Sequence, residues 1–509
     1  MAARSSSSRA RWPNNFAINA GGGTVDAHGG QLNLQGVIAD GTGPGLLTLI
    51  DSAGGGSVQL SGVNTYTGGT LVNGTTVIVS NNSSVGTGAV TLNNAVFQAD
   101  GSSNLSFANN FTLTGGNTID ANGTTLTIAG NITGAGAVEF FNSGGPPPGG
   151  VLGTVVLLGN NSYTGGTLIC SCTTLQLGDA THTASIIGTV DVEGQLNVVN
   201  ADMSGITTIF NDGLIKFRNA TSASQIPITN AGRIDFLDTS TAANSTILSA
   251  GLIRFSDSAT VGSANITNEF FGEIDFFNTA TAAKSTIVNQ TGGLLTFNNS
   301  ATAGSASITN MATGETDFYD TSTAGNATIL NQSKGVTTFQ VSSTAGNANI
   351  TNLTGGQLFF YDNSSAGNAT IINNSAGNNA NPVPEGVFFT GASTAGNAII
   401  INNHGGAIDF GFPGSTTDTP TAGNASITNN SGSTLQFSAF STGGNATITT
   451  QSGAAVAFFN HSTGGNAQFI TNGTGYVDFS NSRGPNGDGK ISAGSIAGSG
   501  NYYIGAATR

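Results

Sequence analysis

The sequence predicts an all-β fold of the parallel β-solenoid kind, and three observations carry the prediction: a recurrence of about 21 residues per rung in the C-terminal half, a period-two alternation inside each recurrence, and glycines at the corners. The unit reads Thr302-Ala-Gly-Ser-Ala-Ser-Ile-Thr-Asn310, then Thr323-Ala-Gly-Asn-Ala-Thr-Ile-Leu-Asn331, then Thr344-Ala-Gly-Asn-Ala-Asn-Ile-Thr-Asn352. Each is followed eight residues later by a phenylalanine, Phe318, Phe339 and Phe360. A fixed period of this length means stacked repeats.

The first strand of a unit carries Ala327, Ile329 and Asn331 on one side, and the residues between them point the other way. A second short strand carries Leu358 and Phe360 inward, and glycine pairs such as Gly355-Gly356 supply the corner, where positive φ is cheap only for glycine. Stacked about 4.8 Å apart, these units place Ile on Ile and Phe on Phe. They also align Asn268, Asn289, Asn310, Asn331, Asn352, Asn373, Asn402 and Asn429 in a buried ladder whose amides bond to one another and to the corner backbone.

The phenylalanine series runs from Phe217, Phe236 and Phe255, at steps of 19, through Phe276 to Phe360 at steps of 21, and on through Phe389, Phe410, Phe437, Phe458 and Phe479. The two long steps hold Pro-containing inserts, around Asn381–Glu385 and Phe412–Pro420, which read as bulged loops. Thirteen stacked rings imply about 60 Å of solenoid.

Composition is consistent with a repeat. Gly is 76 of 509 residues and charged residues are only 7%, yet the regularly placed Ile, Leu, Val and Phe supply a core that low-complexity disorder lacks. The formal net charge of −14, from 26 acidic and 12 basic residues, argues against a nucleic-acid partner. No run approaches the apolar length of a membrane span, and Met1–Trp12 has positive charge without the apolar segment of a signal peptide. Cys170 and Cys172 flank one serine; in a strand they face the same side, a loop too tight for an unstrained disulfide, so they read as small residues in one rung.

Four segments are expected: a disordered leader over 1–15, an irregular β-helix over 16–200, a regular repeat over 201–480, and a terminal, cut-short repeat segment over 481–509. In the second, Asn64-Thr-Tyr-Thr-Gly-Gly-Thr70 returns as Asn161-Ser-Tyr-Thr-Gly-Gly-Thr167, each after a leucine-bearing strand. These two stretches resemble the autotransporter-associated β-strand repeat of bacterial autotransporter passengers. Thr174–Asp179 through Gly188–Asp191, and Ile491–Ile504 near the end, are similar to the segments that follow that motif. The resemblance implies a right-handed parallel β-helix passenger at the bacterial cell surface or released from it. The family's export signal and its C-terminal β-barrel are not in this sequence, which implies a passenger segment, and the Cys-Ser-Cys element departs from the family's usual avoidance of cysteine.

Asp235, Asp275, Asp317, Asp409 and Asp478 each stand immediately before a phenylalanine of the series, a position that alternation points outward to a solvated face. The nearest are two rungs apart, about 10 Å, too far for a retaining carboxylate pair. A carbohydrate-active β-helix therefore remains the alternative reading, one that needs Asp409 and Asp418 to face each other across a cleft. His28, His182, His404 and His461 have neither triad nor metal-ligand spacing. Gly484–Ser495 only partly matches a calcium loop, and the outward threonine column through Thr309 and Thr351 is too interrupted for ice. No catalytic, metal or cofactor group is expected. The expected role is a structural or adhesive one, or failing that an inert spacer: outward Asn, Thr and Asp with Tyr319 and Tyr361 make shallow contacts with surface proteins or glycans of a host or neighbouring cell, with self-association as a further expectation.

Overall fold

In the computed structural model, residues 10–145, 152–374 and 385–505 are described. They form a parallel β-solenoid, with no α-helix among them. The insert around Asn381–Pro384 and the first nine residues of the expected leader lie outside the described residues. The expected leader nonetheless contains a strand: Ala10–Trp12 pairs in parallel with Leu32–Leu34. Contacts gather the chain into two compact units, Met1–Thr246 and Ile247–Arg509.

In the first unit a rung is built from strands of parallel sheets. One sheet runs from Ala10–Trp12 through Gln31–Leu34, Ser57–Leu60 and Thr76–Val79 toward Pro227–Asn230, and another begins at Leu105–Phe107 and includes Arg233–Phe236. A six-stranded sheet, from Gly23–Asp26 to Ile132–Gly134, forms a further side of the earlier rungs. The two Tyr-Thr-Gly-Gly-Thr corners share one device. The hydroxyl of Tyr66 lies 2.5 Å from Thr70 Oγ1 and that of Tyr163 lies 2.6 Å from Thr167 Oγ1, with both rings fully buried. Each ring fills the core at the bend, and its one polar atom is satisfied locally, as a buried phenol requires.

The second unit is more regular. Each rung has a first strand, as in Thr328–Asn331, a second strand, as in Val336–Phe339, and one residue on a third side that bridges to the next rung, as Thr302 does to Thr323 and Thr323 to Thr344. Thr328–Asn331 pairs residue for residue with Asn349–Asn352, 21 positions on, so like stacks on like. Phe297, Phe318 and Phe339 stack with ring centroids 4.7 and 4.6 Å apart and planes within 5–7° of parallel. Each fully buried ring contributes roughly 2–3 kcal/mol by leaving water.

The asparagine ladder runs along the same unit. Nδ2 of Asn289 donates to Oδ1 of Asn310 at 2.9 Å, Asn310 to Asn331 at 2.9 Å and Asn331 to Asn352 at 2.8 Å. The other amide hydrogen reaches the second strand, as in Asn310 to the Val336 carbonyl at 2.9 Å. Asn268, Asn373, Asn402 and Asn429 occupy the same column, and all eight side chains are buried. Alternation explains the burial, and the amide explains the choice of residue: asparagine can both accept and donate along the stack.

Candidate contact face

The outward side of the second strands presents three side-chain columns per rung: three residues before the stacked phenylalanine, one before it, and one after. Successive rungs read Glu273, Asp275, Phe277, then Leu294, Thr296, Asn298, then Glu315, Asp317, Tyr319; two rungs further they read Gln357, Phe359, Tyr361.

The expectation of a solvated aspartate column is corrected here. Asp275 and Asp317 in the second unit are each 5% exposed, and Asp235 in the first unit is 3% exposed. Asp409 and Asp478 are half-buried. Pointing outward does not leave these groups in water, because each central side chain is flanked by two neighbours on its own rung and covered by those on adjacent rungs.

The buried aspartates differ in how they are compensated. Arg233 Nε donates to Asp235 Oδ1 at 2.7 Å. Asp275 faces Arg254 Nη2 at 3.5 Å and accepts the Thr296 hydroxyl at 2.7 Å. Among the described residues Asp317 has no cation within ion-pairing distance; its Oδ2 accepts the Tyr319 hydroxyl at 3.2 Å, the Thr338 hydroxyl on the next rung also favours its carboxylate, and its Oδ1 is buried without a well-formed hydrogen bond. Desolvation first, and then the charge of Glu315, push the Asp317 carboxyl up to about 7. Desolvation raises Asp409 to about 6. Burial, helped by the charge of Asp317, lifts the Tyr319 phenol to about 12, and burial raises Tyr361 as well.

Glu315 and Asp317 are neighbours on the same side of one strand, near enough for the charge of Glu315 to raise the Asp317 carboxyl. Asp418, the other acid of the enzymatic alternative, is engaged in its own loop, accepting the backbone amides of Phe412 at 3.0 Å and Gly391 at 3.3 Å.

Beyond the acids the face turns aromatic. Phe359 stacks on Tyr361 at 5.6 Å and on Phe388 of the next rung at 5.2 Å. Phe359 and Phe388 stand in the register of Asp317, in place of an acid. Their shared register with Asp317 was the available signal that they belong to one surface. A second amide ladder was also missed. Asn347 Nδ2 donates to Asn326 Oδ1 at 3.2 Å, and the series continues through Asn368, Asn397, Asn424, Asn445 and Asn466 at an outer corner. The recurring Gly-Asn-Ala of the repeat was its signature.

Cys170 and Cys172 form a disulfide, against the expectation of two unlinked small residues. They lie on the turn between strands Thr167–Ile169 and Thr173–Leu177 rather than within a strand, and the turn brings their Cα atoms to 5.2 Å. Of the histidines, His182 contacts Asp179 at 2.9 Å, His28 contacts Ser52 at 3.0 Å, His404 contacts the Ser431 carbonyl at 2.9 Å and His461 stacks on Phe440. Among the described residues no three acidic, histidine or cysteine side chains gather as metal ligands, and no helix is long and apolar enough to cross a membrane.

No protein-family model matches the chain. No curated protein matches it either. Among solved structures, a crystallographic TibA55-350 fragment, hyper-glycosylated by TibC, aligns at 16% identity over 65% of this chain and 94% of that one, with a TM-score of 0.23.

Proposed function

We propose that this protein is a surface-displayed or secreted passenger of the autotransporter type that makes adhesive contact through the outer face of its second strands. The observation that carries this reading is an in-register outward face on a closed, like-on-like core, where Glu315, Asp317 and Tyr319 stand two rungs from Phe359 and Tyr361, and Phe359 stacks on Phe388 one rung further. Such a face offers many shallow contacts, and simultaneous engagement multiplies weak ones. The motif resemblance at Tyr66 and Tyr163 supports display outside the cytoplasm. The Cys170–Cys172 disulfide supports it as well, since disulfides persist in oxidising compartments. Surface proteins and glycans are the partners this chemistry suits.

The test is binding of the purified, labelled protein to whole cells and to a glycan array, with Tyr319→Ala/Tyr361→Ala as the paired variant. Loss of binding in the variant, with its β-sheet circular dichroism intact, supports the reading. Undiminished binding removes this face from it.

A further inference from the structure

Arg254 displays what this face does with a guanidinium. Its Nη2 lies 3.5 Å from Oδ2 of Asp275, its register partner on the next rung, and its guanidinium carbon lies 5.3 Å from the centre of the Phe277 ring. The cation is thus held by a carboxylate one rung on and by the aromatic ring two residues after that carboxylate.

Two rungs along, 42 residues on, the receiving half of this arrangement is repeated. Glu315 takes the place of Glu273, Asp317 that of Asp275 and Tyr319 that of Phe277. The giving half is not repeated, because the register partner preceding Asp317 is Thr296. The consequences are local: Asp317 is 5% exposed and has neutral hydroxyls rather than a cation for company, a long 3.2 Å bond from Tyr319 to Oδ2 and the Thr338 hydroxyl of the next rung, while Oδ1 has no well-formed hydrogen bond. A buried carboxylate oxygen without a donor is costly, and a charged guest that supplies two parallel N–H groups relieves that cost.

We propose that Glu315, Asp317 and Tyr319 form a receptor site for a guanidinium supplied from outside, the side chain of an arginine on a partner protein. The guest displaces the Tyr319 hydroxyl from Oδ2 and lies against the freed ring, as Arg254 lies against Phe277. A planar fork fits two neighbouring carboxylates and an aromatic face better than a compact ammonium does. The excess of acidic residues, 26 against 12 basic, favours approach of a basic segment. This deepens the adhesive reading by naming the partner's chemistry, and it rests on that reading only for the partner being a surface protein.

The experiment titrates the full chain with a hexa-arginine peptide and, separately, with hexalysine. The variants are Glu315→Gln/Asp317→Asn, which removes both negative charges and one acceptor oxygen from each side chain, and Thr296→Arg, which places a guanidinium in the register position that Arg254 holds beside Asp275. Thr449→Arg, on the outward side of a first strand, is the control for net charge. The expected result is binding of hexa-arginine about tenfold tighter than of hexalysine, lost by about tenfold in both site variants and retained in the control. Equal affinity for the two peptides, or undiminished binding by folded Thr296→Arg, overturns the site. If hexa-arginine binds as expected while the wild-type protein adheres to no cell or glycan, the site stands and the adhesive reading falls. Adhesion that survives Thr296→Arg while peptide binding is unchanged by it has the opposite meaning.

Discussion

The side-chain amide of Asn310 donates to Oδ1 of Asn331 one rung away, 2.9 Å between heavy atoms, with both residues wholly buried. Asn331 in turn accepts the Thr337 hydroxyl at 2.8 Å and donates to the Gln357 carbonyl at 2.9 Å. Replacing Asn331 with Ala strands donors on two rungs, and the expected loss is about 2–4 kcal/mol of stability in that unit. Asn347→Ala, in the exposed ladder, is expected to cost less than about 1 kcal/mol. Urea unfolding of the two variants side by side distinguishes these outcomes.

The phenylalanine stack makes a second contrast. Phe318→Ala opens a cavity between two parallel rings and is expected to cost about 3–5 kcal/mol. Phe271, 72% exposed at a corner, is expected to tolerate alanine within about 0.5 kcal/mol. Thermal melts followed by circular dichroism provide the comparison.

Asp317 and Asp409 fix a pH dependence. Their folded-state carboxyls titrate near 7 and near 6, above the ordinary aspartate value, so the folded state holds more protons than the unfolded chain between about pH 4 and 7. Their contribution is therefore most favourable at low pH and is lost as pH rises through that window. Asp317→Asn/Asp409→Asn is expected to flatten the fall, measured as the urea midpoint at about pH 4.5 and about pH 7.5.

Cys170 and Cys172 are expected to resist alkylation in the native protein and to accept two alkyl groups only after reduction, read as a mass shift. Alkylation of the unreduced protein contradicts the pairing.

The repeat was legible because it is written in both period and chemistry. Ile329, Asn331 and Phe339 have counterparts at fixed places through most of the regular repeat, with Thr450 and Thr471 in the asparagine place of its last rungs, so burial, register and the amide ladder follow from alternation. The outer face was less legible. Alternation gives the direction of Asp317 and not its exposure, which depends on how Glu315, Tyr319 and the adjacent rungs close over it. The disulfide was missed for a related reason: Cys170 and Cys172 were placed on a straight strand, whereas a corner lies between them.

In-register stacking is tested most directly by nitroxide labels at Thr309→Cys and Leu330→Cys, outward positions that pair across one rung. Labels whose backbones are about 4.8 Å apart are expected to show strong spin–spin broadening in the electron paramagnetic resonance spectrum of the double variant. A spectrum equal to the sum of the two single-label spectra would contradict the stacked-rung account.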